Sequence, residues 1–518
     1  MTYLLTKKTL KAVFLSTYYL IALLPVVASA ATESDGKHTD HQHGEAHNPP
    51  NIIVILADDL GYGDISSFGA KSISTPRIDQ LAEAGIKLTQ FYAAAPVCTP
   101  SRAGLMTGRY AARMGIGHVF MYDAPEGMPS SEITIAEQLK KVGYHTGMVG
   151  KWHLGHQDRY MPWNQGFDEF YGVPFSNDMA NFFFYENQEM IPEPIDQRYL
   201  TKRYTEKAVD YIERHAGAPF FLYLAHSMPH VPLYVSPEFE GSSNGGLYGD
   251  VVQELDWSAG EVVDKLRQLN LLDNTIIVFS SDNGPWLAMG DHGGSSGGLR
   301  DGKGSTFEGG QRVPTVIHWP AQIAGGRIDD TITSLLDLMP TFSAIAGVPL
   351  PADREIDGAD ILPILIGGGG PNKRHFFYNS GLTADIVAYR NGDWKLKLPQ
   401  SGYPKFLEPV LKLNLFSHDL LLFNLNDDPF EKNNIAADYP DRVVEMQYDI
   451  DEFKKNIIET NSRALLMRST SSDKAGYGPI LVKLGVLALL GIVALMAVIY
   501  LFYRGLKVVI IKVVKEKK

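Results

Sequence analysis

Four short apolar runs, each ending in polar or charged residues, constrain the fold of this chain more than any other feature. They are rich in β-branched and aromatic residues, as buried strands are, and they begin at Asn51, Thr146, Phe220 and Thr275. Helical stretches separate them, and this alternation predicts an α/β sandwich around a large, mainly parallel sheet. Ligands of such sheets bind beyond the carboxyl ends of the strands. We therefore expect the polar residues that follow the four runs to meet at one site.

The pattern changes after about residue 370, where the apolar runs become shorter. Runs at 386–389 and 394–397 predict a small antiparallel sheet, and a helix is expected at about 440–458. With 518 residues the chain exceeds a single typical domain. We predict a catalytic α/β domain over residues 50–370 and a C-terminal α+β subdomain over residues 371–465.

Both ends of the chain have patterns typical of an exported protein that is tethered to a membrane. Residues 1–30 combine lysines, an apolar run and a small-residue stretch ending at Ala30, as a secretory signal peptide does. A His-rich leader follows at 31–49. The uncharged apolar segment 484–503 can span a bilayer; a linker, 466–483, precedes it and a basic tail, 504–518, follows it. The positive-inside rule places that tail in the cytoplasm and the folded body outside.

The cysteine content and the net charge limit which cellular compartment and which class of binding partner we expect. The chain has one cysteine, and exported proteins without disulfide frameworks are more typical of bacterial envelopes than of animal secretions. We therefore expect the folded body to lie in a bacterial periplasm. The formal net charge of −12 argues against nucleic acid as a partner.

The single cysteine, Cys98, stands at the start of a predicted helix. Pro100 follows it, and the helical stretch continues to Gly108. Free N–H groups and the helix dipole attract anions to such a position, and Arg102 adds a positive charge one turn later. A nucleophile at Cys98 is therefore suited to an anionic substrate.

The acidic and amide side chains after two of the runs form a candidate metal site. Asp58 and Asp59 follow the first run, and Asp282 and Asn283 follow the fourth. These residues offer only oxygen ligands, which suit Ca²⁺ or Mg²⁺ and argue against zinc.

The other polar residues after the runs are cationic or titratable. They are Arg102, Lys151, His153, His230 and Lys303. Cations directed at the charge that develops on a transferring anionic group stabilise it electrostatically, and histidines near neutral pKa can transfer protons. The set predicts hydrolysis of an anionic ester.

Six of these segments resemble the signatures of the type I sulfatases, the formylglycine-dependent family. The segments are C-T-P-S-R at 98–102, D-D-L-G-Y-G-D at 58–64, G-K-W-H-L-G at 150–155, P-H-V-P at 229–232, D-N-G-P at 282–285 and G-K-G-S-T at 302–306. Within the family the chain looks most like the arylsulfatase A and N-acetylgalactosamine-6-sulfatase branch. The resemblance covers about residues 51–434.

The resemblance implies an alkaline-phosphatase-like sandwich that hydrolyses sulfate esters. Cys98 would be oxidised by a formylglycine-generating maturation enzyme, and the aldehyde hydrate would attack sulfur. The implied metal ligands are Asp58, Asp59, position 98, Asp282 and Asn283. The implied substrate-binding residues are Ser176, Lys151, His230 and Lys303. His230 would protonate the departing alcohol and His153 would accept a proton afterwards, although the sequence leaves open which histidine is the acid.

Two other readings of the same residues stay open. A phosphate or phosphonate ester hydrolase of this fold class typically has Ser or Thr as its nucleophile and a second, histidine-containing metal cluster. Cys98 and Lys151 argue against it. A non-catalytic protein that binds sulfated glycans would result if the maturation enzyme never reached Cys98. The sequence also leaves open whether the substrate is an aryl sulfate or a sulfated sugar or glycan.

Overall fold

A computed structural model describes residues 49–179, 182–192, 195–370, 374–400 and 419–470, with side chains up to residue 460. The predicted signal peptide, membrane segment and basic tail lie outside these residues, as do nearly all of the leader and most of the predicted linker. Within the described ranges no helix combines the length and the apolar character needed to cross a bilayer.

Strands of the described residues form three sheets. Their bounds are β1 Asn51–Ala57, β2 Ile86–Leu88, β3 Phe91–Tyr92, β4 His145–Lys151, β5 Glu169–Val173, β6 Phe184–Glu186, β7 Glu189–Ile191, β8 Phe220–Ala225, β9 Thr275–Ser281, β10 Thr315–His318, β11 Arg327–Asp329, β12 Thr333–Ser334, β13 His375–Asn379, β14 Ile386–Asn391, β15 Trp394–Lys397 and β16 Leu421–Asn424.

The α-helices of the same residues are α1 Pro76–Ala84, α2 Cys98–Thr107, α3 Ile135–Lys140, α4 Leu200–Arg214, α5 Gly246–Gln268, α6 Glu308–Gln311, α7 Leu338–Ile345, α8 Leu362–Leu365 and α9 Pro440–Thr470. Short 3₁₀ turns lie at Ser66–Phe68, Ala111–Met114, Asp158–Tyr160, Pro162–Asn164, Gln197–Tyr199, Leu272–Asn274, Leu287–His292 and Leu335–Asp337.

The large sheet has ten strands in the order β11-β2-β10-β9-β1-β8-β4-β5-β6-β7. Its five central strands, β9-β1-β8-β4-β5, are all parallel. Antiparallel pairs join β10 to β9 and to β2, and join β6 to β5 and to β7. The predicted mainly parallel α/β sheet is therefore confirmed in a mixed form. Because the central strands are parallel, their carboxyl ends meet at one edge.

Strand β1 lies at the centre of the sandwich and is buried along its whole length. Successive side chains of a strand point to opposite faces. Ile52 and Val54 accordingly pack into the apolar layer that includes α2, α3 and α7, while Ile53 and Ile55 pack into the layer that includes α1, α4 and α5. Two covered faces require a continuous apolar run, which is why this strand shows no alternation of polar and apolar residues.

The small sheet is antiparallel in the order β13-β14-β15-β16, as predicted. Helix α9 packs against it, and the ring of Phe453 stacks on that of Phe377 with centroids 3.9 Å apart. The helix extends from Pro440 to Thr470, beyond the predicted end near residue 458 and into the segment predicted as a linker. No proline or glycine interrupts residues 441–470, so the local sequence provides no strong stop signal.

A buried ion cluster connects the small antiparallel sheet to α6 and to β3 of the two-stranded sheet. The Lys395 ammonium of β15 lies 2.9 Å from carboxylate oxygens of both Glu308 and Glu431. The Tyr92 hydroxyl of β3 donates to Glu308 at 2.6 Å. All four side chains are buried. Burial alone would raise the pKa of Glu308, but the Lys395 ammonium and its neighbouring cations outweigh burial and lower it.

Replacement of Lys395 by Met leaves the two buried carboxylates without their shared cation. We expect Lys395→Met to lower the free energy of unfolding by about 3–5 kcal/mol, measured by urea denaturation. The exposed Lys432 supplies the control. The free energy of unfolding of Lys432→Met should stay within about 0.5 kcal/mol of the wild-type value. Equal stability of the two variants would contradict a structural role for the cluster.

A second buried carboxyl group, that of Glu254 on α5, has no cation paired with it among the contacts of the described residues. Its Oε2 accepts a hydrogen bond from the Ser236 backbone N–H at 3.2 Å, and its Oε1 has no hydrogen-bond partner. Burial raises the pKa of Glu254 from 4.5 to about 7. The folded protein therefore holds a proton there that the unfolded chain releases at lower pH.

Glu254→Gln should change how stability depends on pH. Because the folded pKa is the higher one, the contribution of Glu254 is fully present below about pH 4.5 and is lost as pH rises through about 7. The Gln variant lacks this loss. The free energy of unfolding of the Gln variant, relative to that of the wild type, should therefore increase by up to about 3 kcal/mol from pH 5 to pH 8. Urea denaturation at both pH values measures it. A constant difference between the two proteins would contradict a buried, titrating Glu254.

Candidate active site

The carboxyl ends of four central strands and the start of one helix meet at the edge of the large sheet. Strand β1 is followed by Asp58 and Asp59, and β9 by Asp282 and Asn283. Strand β4 ends at Lys151 and leads to His153, the loop after β8 carries His230, and α2 begins at Cys98. The structure thus brings the residues of the predicted site together.

Asp58 makes contact with two cations at the base of the site. Its Oδ2 lies 2.5 Å from the Lys151 ammonium, and its Oδ1 lies 3.6 Å from the Arg102 guanidinium. Burial would raise the pKa of Asp58, but Lys151 and Arg102 outweigh burial and hold that pKa well below its usual value. Asp58 is therefore a carboxylate at any physiological pH.

Arg102 connects three of these elements from inside α2. Its Nε donates to Asp282 Oδ2 at 2.8 Å, and its Nη1 donates to the Lys151 backbone carbonyl at 2.8 Å. The side chain is fully buried. A buried guanidinium with fixed acceptors holds the ends of β4 and β9 against the helix that begins at position 98.

Asp59 lies nearer the mouth of the site. Its Oδ2 accepts from the Lys303 ammonium at 2.7 Å, and its Oδ1 accepts from Asn283 Nδ2 at 2.7 Å. Its backbone N–H donates to Asp282 Oδ1 at 3.2 Å. Burial disfavours the charge on Lys303, but the Asp59 carboxylate outweighs burial and raises the pKa of Lys303. Lys303 therefore keeps its positive charge.

Cys98 is the first residue of α2 and is 1% exposed. Its Sγ lies 3.5 Å from Asp58 Oδ1. Burial raises the pKa of the Cys98 thiol well above its usual value, against the opposing charges of Lys151 and Lys303. An unmodified thiol at this position stays protonated near neutral pH, and a protonated thiol is a poor nucleophile.

His153 is held in one tautomer by the backbone. Its Nε2 lies 3.0 Å from the Phe120 carbonyl, which can only accept, so Nε2 carries the proton. Burial, together with Lys151 and Arg102, lowers the pKa of His153 well below its usual value. The neutral ring therefore has its lone pair on Nδ1, and that buried atom has no hydrogen-bond partner in the part of the chain that the structure describes.

His230 has the opposite arrangement. Its Nδ1 donates to the Val231 carbonyl at 2.5 Å, and its Nε2 lies 3.6 Å from Asp59 Oδ2. Burial, and after it the Lys303 ammonium, lowers the pKa of His230. The nitrogen available for proton exchange with a ligand is therefore Nε2.

Ser176 follows β5 and completes the predicted set. It is buried, and its Oγ accepts a hydrogen bond from the Lys151 ammonium at 3.2 Å. Lys151 thus bridges Ser176 and Asp58. The polar neighbour Asn177 does not share this contact: its Nδ2 donates to Gln197 and to the Pro232 carbonyl.

Gly150 allows the end of β4 to approach β8 closely. Its φ is +111°, and a Cβ atom there would lie 1.8 Å from the Ala225 carbonyl oxygen. A larger residue at position 150 would therefore displace the strand end that carries Lys151.

One histidine that directly follows a central strand contacts a helix and not these residues. His226, which follows β8 directly, is buried, and its Nε2 lies 3.2 Å from Ser258 Oγ on α5. Two residues near the site were missed by the sequence analysis. The Thr99 hydroxyl donates to the His153 carbonyl at 3.0 Å, and the ring of Trp286 lies 5.6 Å from that of His230. The position of Trp286 directly after D-N-G-P is the one signal that indicated it.

The residues present fit a divalent cation. Asp58, Asp59 and Cys98 of the predicted ligand set have ligand atoms within 4.8 Å of one another and of a ring nitrogen of His230. Among the described residues the buried Oδ1 of Asn283 has no hydrogen-bond partner, and an amide oxygen of this kind fits the ligand set of a hard cation. The three carboxylates are formally balanced by Arg102, Lys151 and Lys303, so a bound divalent ion would make the site positive and suited to an anion.

Known proteins resemble this chain over three quarters of its length. A family model described as Sulfatase matches residues 50–348. Arylsulfatase A of Bos taurus is 38% identical over 427 residues, which cover 75% of this chain and 84% of that protein. N-acetylgalactosamine-6-sulfatase of Homo sapiens is 40% identical over 425 residues, which cover 75% of this chain and 81% of that protein.

Solved structures show the same likeness. A 6S-sulf protein, from work on the metabolism of multiple glycosaminoglycans by Bacteroides thetaiotaomicron, superposes with a TM-score of 0.73 at 30% identity and covers 79% of this chain and 100% of that one. Ps i-CgsB in complex with k-i-k-neocarrahexaose superposes with a TM-score of 0.70 at 32% identity and covers 79% of this chain and 93% of that one. These matches confirm the predicted fold class.

The raised pKa and burial of Cys98 predict slow alkylation of the unmodified thiol. In chain produced without a maturation enzyme, reaction with iodoacetamide at pH 8 should be at least about 100-fold slower when folded than in urea. Intact-protein mass spectrometry measures the alkylated fraction over time. Because the chain has one cysteine, the mass change reports on Cys98 alone. Equal rates in the two states would show that the thiol is accessible and ionised in the folded protein.

Proposed function

We propose that this chain, which belongs to the sulfatase family and hydrolyses sulfate esters, acts on sulfated sugars with a formylglycine made from Cys98. One observation carries the proposal. A buried position at a helix N-terminus lies against Asp58 and among three buried or nearly buried cations, Arg102, Lys151 and Lys303.

The modification answers a chemical problem that the site poses. A thiol with a raised pKa, 3.5 Å from a carboxylate, is a weak nucleophile. Formylglycine supplies a hydrated aldehyde, whose hydroxyl group can attack sulfur and whose second hydroxyl group allows sulfate to leave afterwards. The chain's own groups then have to bind the sulfate, stabilise its charge and move protons.

The cations would bind the sulfuryl oxygens. Lys151 and Lys303 are both held in place by carboxylates, at 2.5 Å and 2.7 Å, so they need no rearrangement when charge develops during transfer. Such preorganised charges in a site with little water stabilise a transition state more than mobile ones do. The Ser176 hydroxyl, which accepts from Lys151, can donate its own proton to a sulfate oxygen.

The histidines would move the protons. His153 is neutral, and its unpartnered Nδ1 is free to accept a proton from a hydroxyl group at position 98. His230 holds one proton at Nδ1 against Val231 and exchanges the other at Nε2. Protonated at Nε2, it would donate to the departing alcohol oxygen. We assign His153 as the base, and His230 as the acid once its Nε2, 3.6 Å from Asp59 Oδ2, has taken up a proton.

A divalent cation would complete the site. Asp58, Asp59, Asp282 and Asn283 would hold it, with position 98 and His230 beside them. Such an ion acts as a Lewis acid on an anionic ester, and the oxygen-rich ligand set favours Ca²⁺ or Mg²⁺. Arg102 and Lys303 would keep the carboxylates of this set oriented.

The relatives support a sugar as the group that carries the sulfate. One relative is named for N-acetylgalactosamine, and one similar structure holds a neocarrahexaose. We accordingly propose a sulfated sugar or glycan as the substrate class, with aryl sulfates as usable model substrates.

The two ends of the sequence carry patterns that bear on where the protein acts. We propose export through residues 1–30, a membrane tether at 484–503 and a catalytic body in a bacterial periplasm. The support is the sequence pattern alone: a lysine-rich start, an uncharged apolar segment and six basic residues behind it.

Replacement of Cys98 by Ala tests the nucleophile. In protein made together with a formylglycine-generating enzyme, we expect Cys98→Ala to lower kcat for 4-nitrophenyl sulfate by about 10³-fold or more. Inorganic sulfate should still bind within a few-fold of the wild type, because the cations remain. The measurements are steady-state rates and calorimetric titration with sulfate.

Two results would count against the proposal. Near-wild-type turnover by Cys98→Ala would remove position 98 from the chemistry. Faster turnover of 4-nitrophenyl phosphate than of 4-nitrophenyl sulfate by the wild type would favour a phosphate ester hydrolase instead.

A further inference from the structure

One aromatic side chain borders the site without belonging to the set of charged residues. The indole of Trp286 has its centroid 5.6 Å from that of the His230 ring and 4.5 Å from the Lys303 ammonium. Trp286 is half-buried, whereas His230 is buried. The indole therefore contacts both the candidate acid and the outermost cation while keeping part of its surface open to solvent.

The backbone fixes this indole relative to Lys303. The Lys303 N–H donates to the Pro285 carbonyl at 2.8 Å, and the Met289 N–H donates to the Trp286 carbonyl at 2.9 Å. A Cβ atom on Gly302 would lie 2.3 Å from the Pro285 carbonyl oxygen, so the two loops run in close contact. Trp286 and Lys303 thus form one unit at the mouth of the site.

Apolar surface continues outward from Trp286. Leu287 and Met289, on the 3₁₀ turn that follows, are each 39% exposed. Large apolar side chains beside a strongly charged site expose surface that an apolar part of a ligand can cover.

We infer that Trp286 is a specificity-determining residue, whose indole packs against the apolar face of the substrate's leaving group. The inference rests on the proposed function, because it takes His230 as the group that protonates the leaving oxygen. A leaving group bonded to that oxygen has to lie beside His230, and the half-buried indole lies beside His230 as well. Groups with a flat apolar face, an aryl ring or the C–H face of a pyranose, fit this position.

Support of Lys303 alone does not explain the tryptophan. The Lys303 ammonium already has a charged partner in Asp59 at 2.7 Å, which fixes it without the ring. If the indole served only to pack against Lys303, burying its remaining apolar surface would be favourable. Instead the indole stays half-buried, next to the exposed apolar side chains of the following 3₁₀ turn. The contact with Lys303 keeps the indole in place for a ligand.

Binding of two anions to the unmodified chain separates the two roles. With Cys98 unconverted the chain cannot turn over substrate, so dissociation constants for 4-nitrophenyl sulfate and for inorganic sulfate can be measured by calorimetry. We expect Trp286→Ala to raise the dissociation constant of 4-nitrophenyl sulfate by about tenfold. The dissociation constant of inorganic sulfate should stay within about twofold of the wild-type value. Trp286→Phe should recover most of the loss, because a ring with a flat face remains.

Trp163 supplies the matched control. It is also half-buried, packs against Phe170 and Tyr185, and donates from Nε1 to Asp158. Trp163→Ala should leave the binding of both anions unchanged, provided that circular dichroism shows each variant to be folded.

Three results would overturn the inference. Equal weakening of both anions by Trp286→Ala would show that the indole acts through Lys303. Two results would show that the leaving group does not contact the indole. One is unchanged binding of 4-nitrophenyl sulfate by Trp286→Ala. The other is that the wild type binds 4-nitrophenyl sulfate no more tightly than it binds inorganic sulfate. Failure of the proposed function is a separate result, because it requires that the formylglycine form hydrolyses no sulfate ester.

Discussion

The pairing of three buried carboxylates with three cations is the interaction on which the rest of this structure depends. Isolated buried charges are costly, and they persist here because Asp58, Asp59 and Asp282 each contact a cation. The contacts cross from β1 and β9 to β4, α2 and the Lys303 loop, so the same ion pairs hold the strand ends together. Charge balance also explains how a chain of net charge −12 maintains a site for an anion.

The surrounding fold positions these groups, whereas the side chains themselves determine which reaction the site can catalyse. Parallel strands deliver their ends to one edge, and the helix start at Cys98 adds a position lined by backbone N–H groups. The backbone carbonyls of Phe120 and Val231 then select the tautomers of the two histidines. As a result both imidazoles present a nitrogen that is free for proton exchange, which is the arrangement that a two-step transfer through position 98 requires.

Much of this arrangement could be predicted because its signals are local. Continuous apolar runs identified β1, β8 and β9, and the polar residues after them identified the site. Other features depend on contacts between distant segments. The burial of His226 against Ser258, the Lys395 cluster and the approach of Trp286 to His230 join residues that are at least 32 positions apart. No short motif encodes such pairings, so they appear only once the chain is folded.

The most direct test of this account is the mass of the proteolytic peptide that contains position 98, from protein purified from its native host. We expect a mass that matches an aldehyde in place of the thiol, because a buried thiol with a raised pKa is a poor nucleophile. An unmodified Cys98 in protein that hydrolyses sulfate esters would contradict it, because the reaction would then proceed without the group to which the site's cations and histidines are assigned.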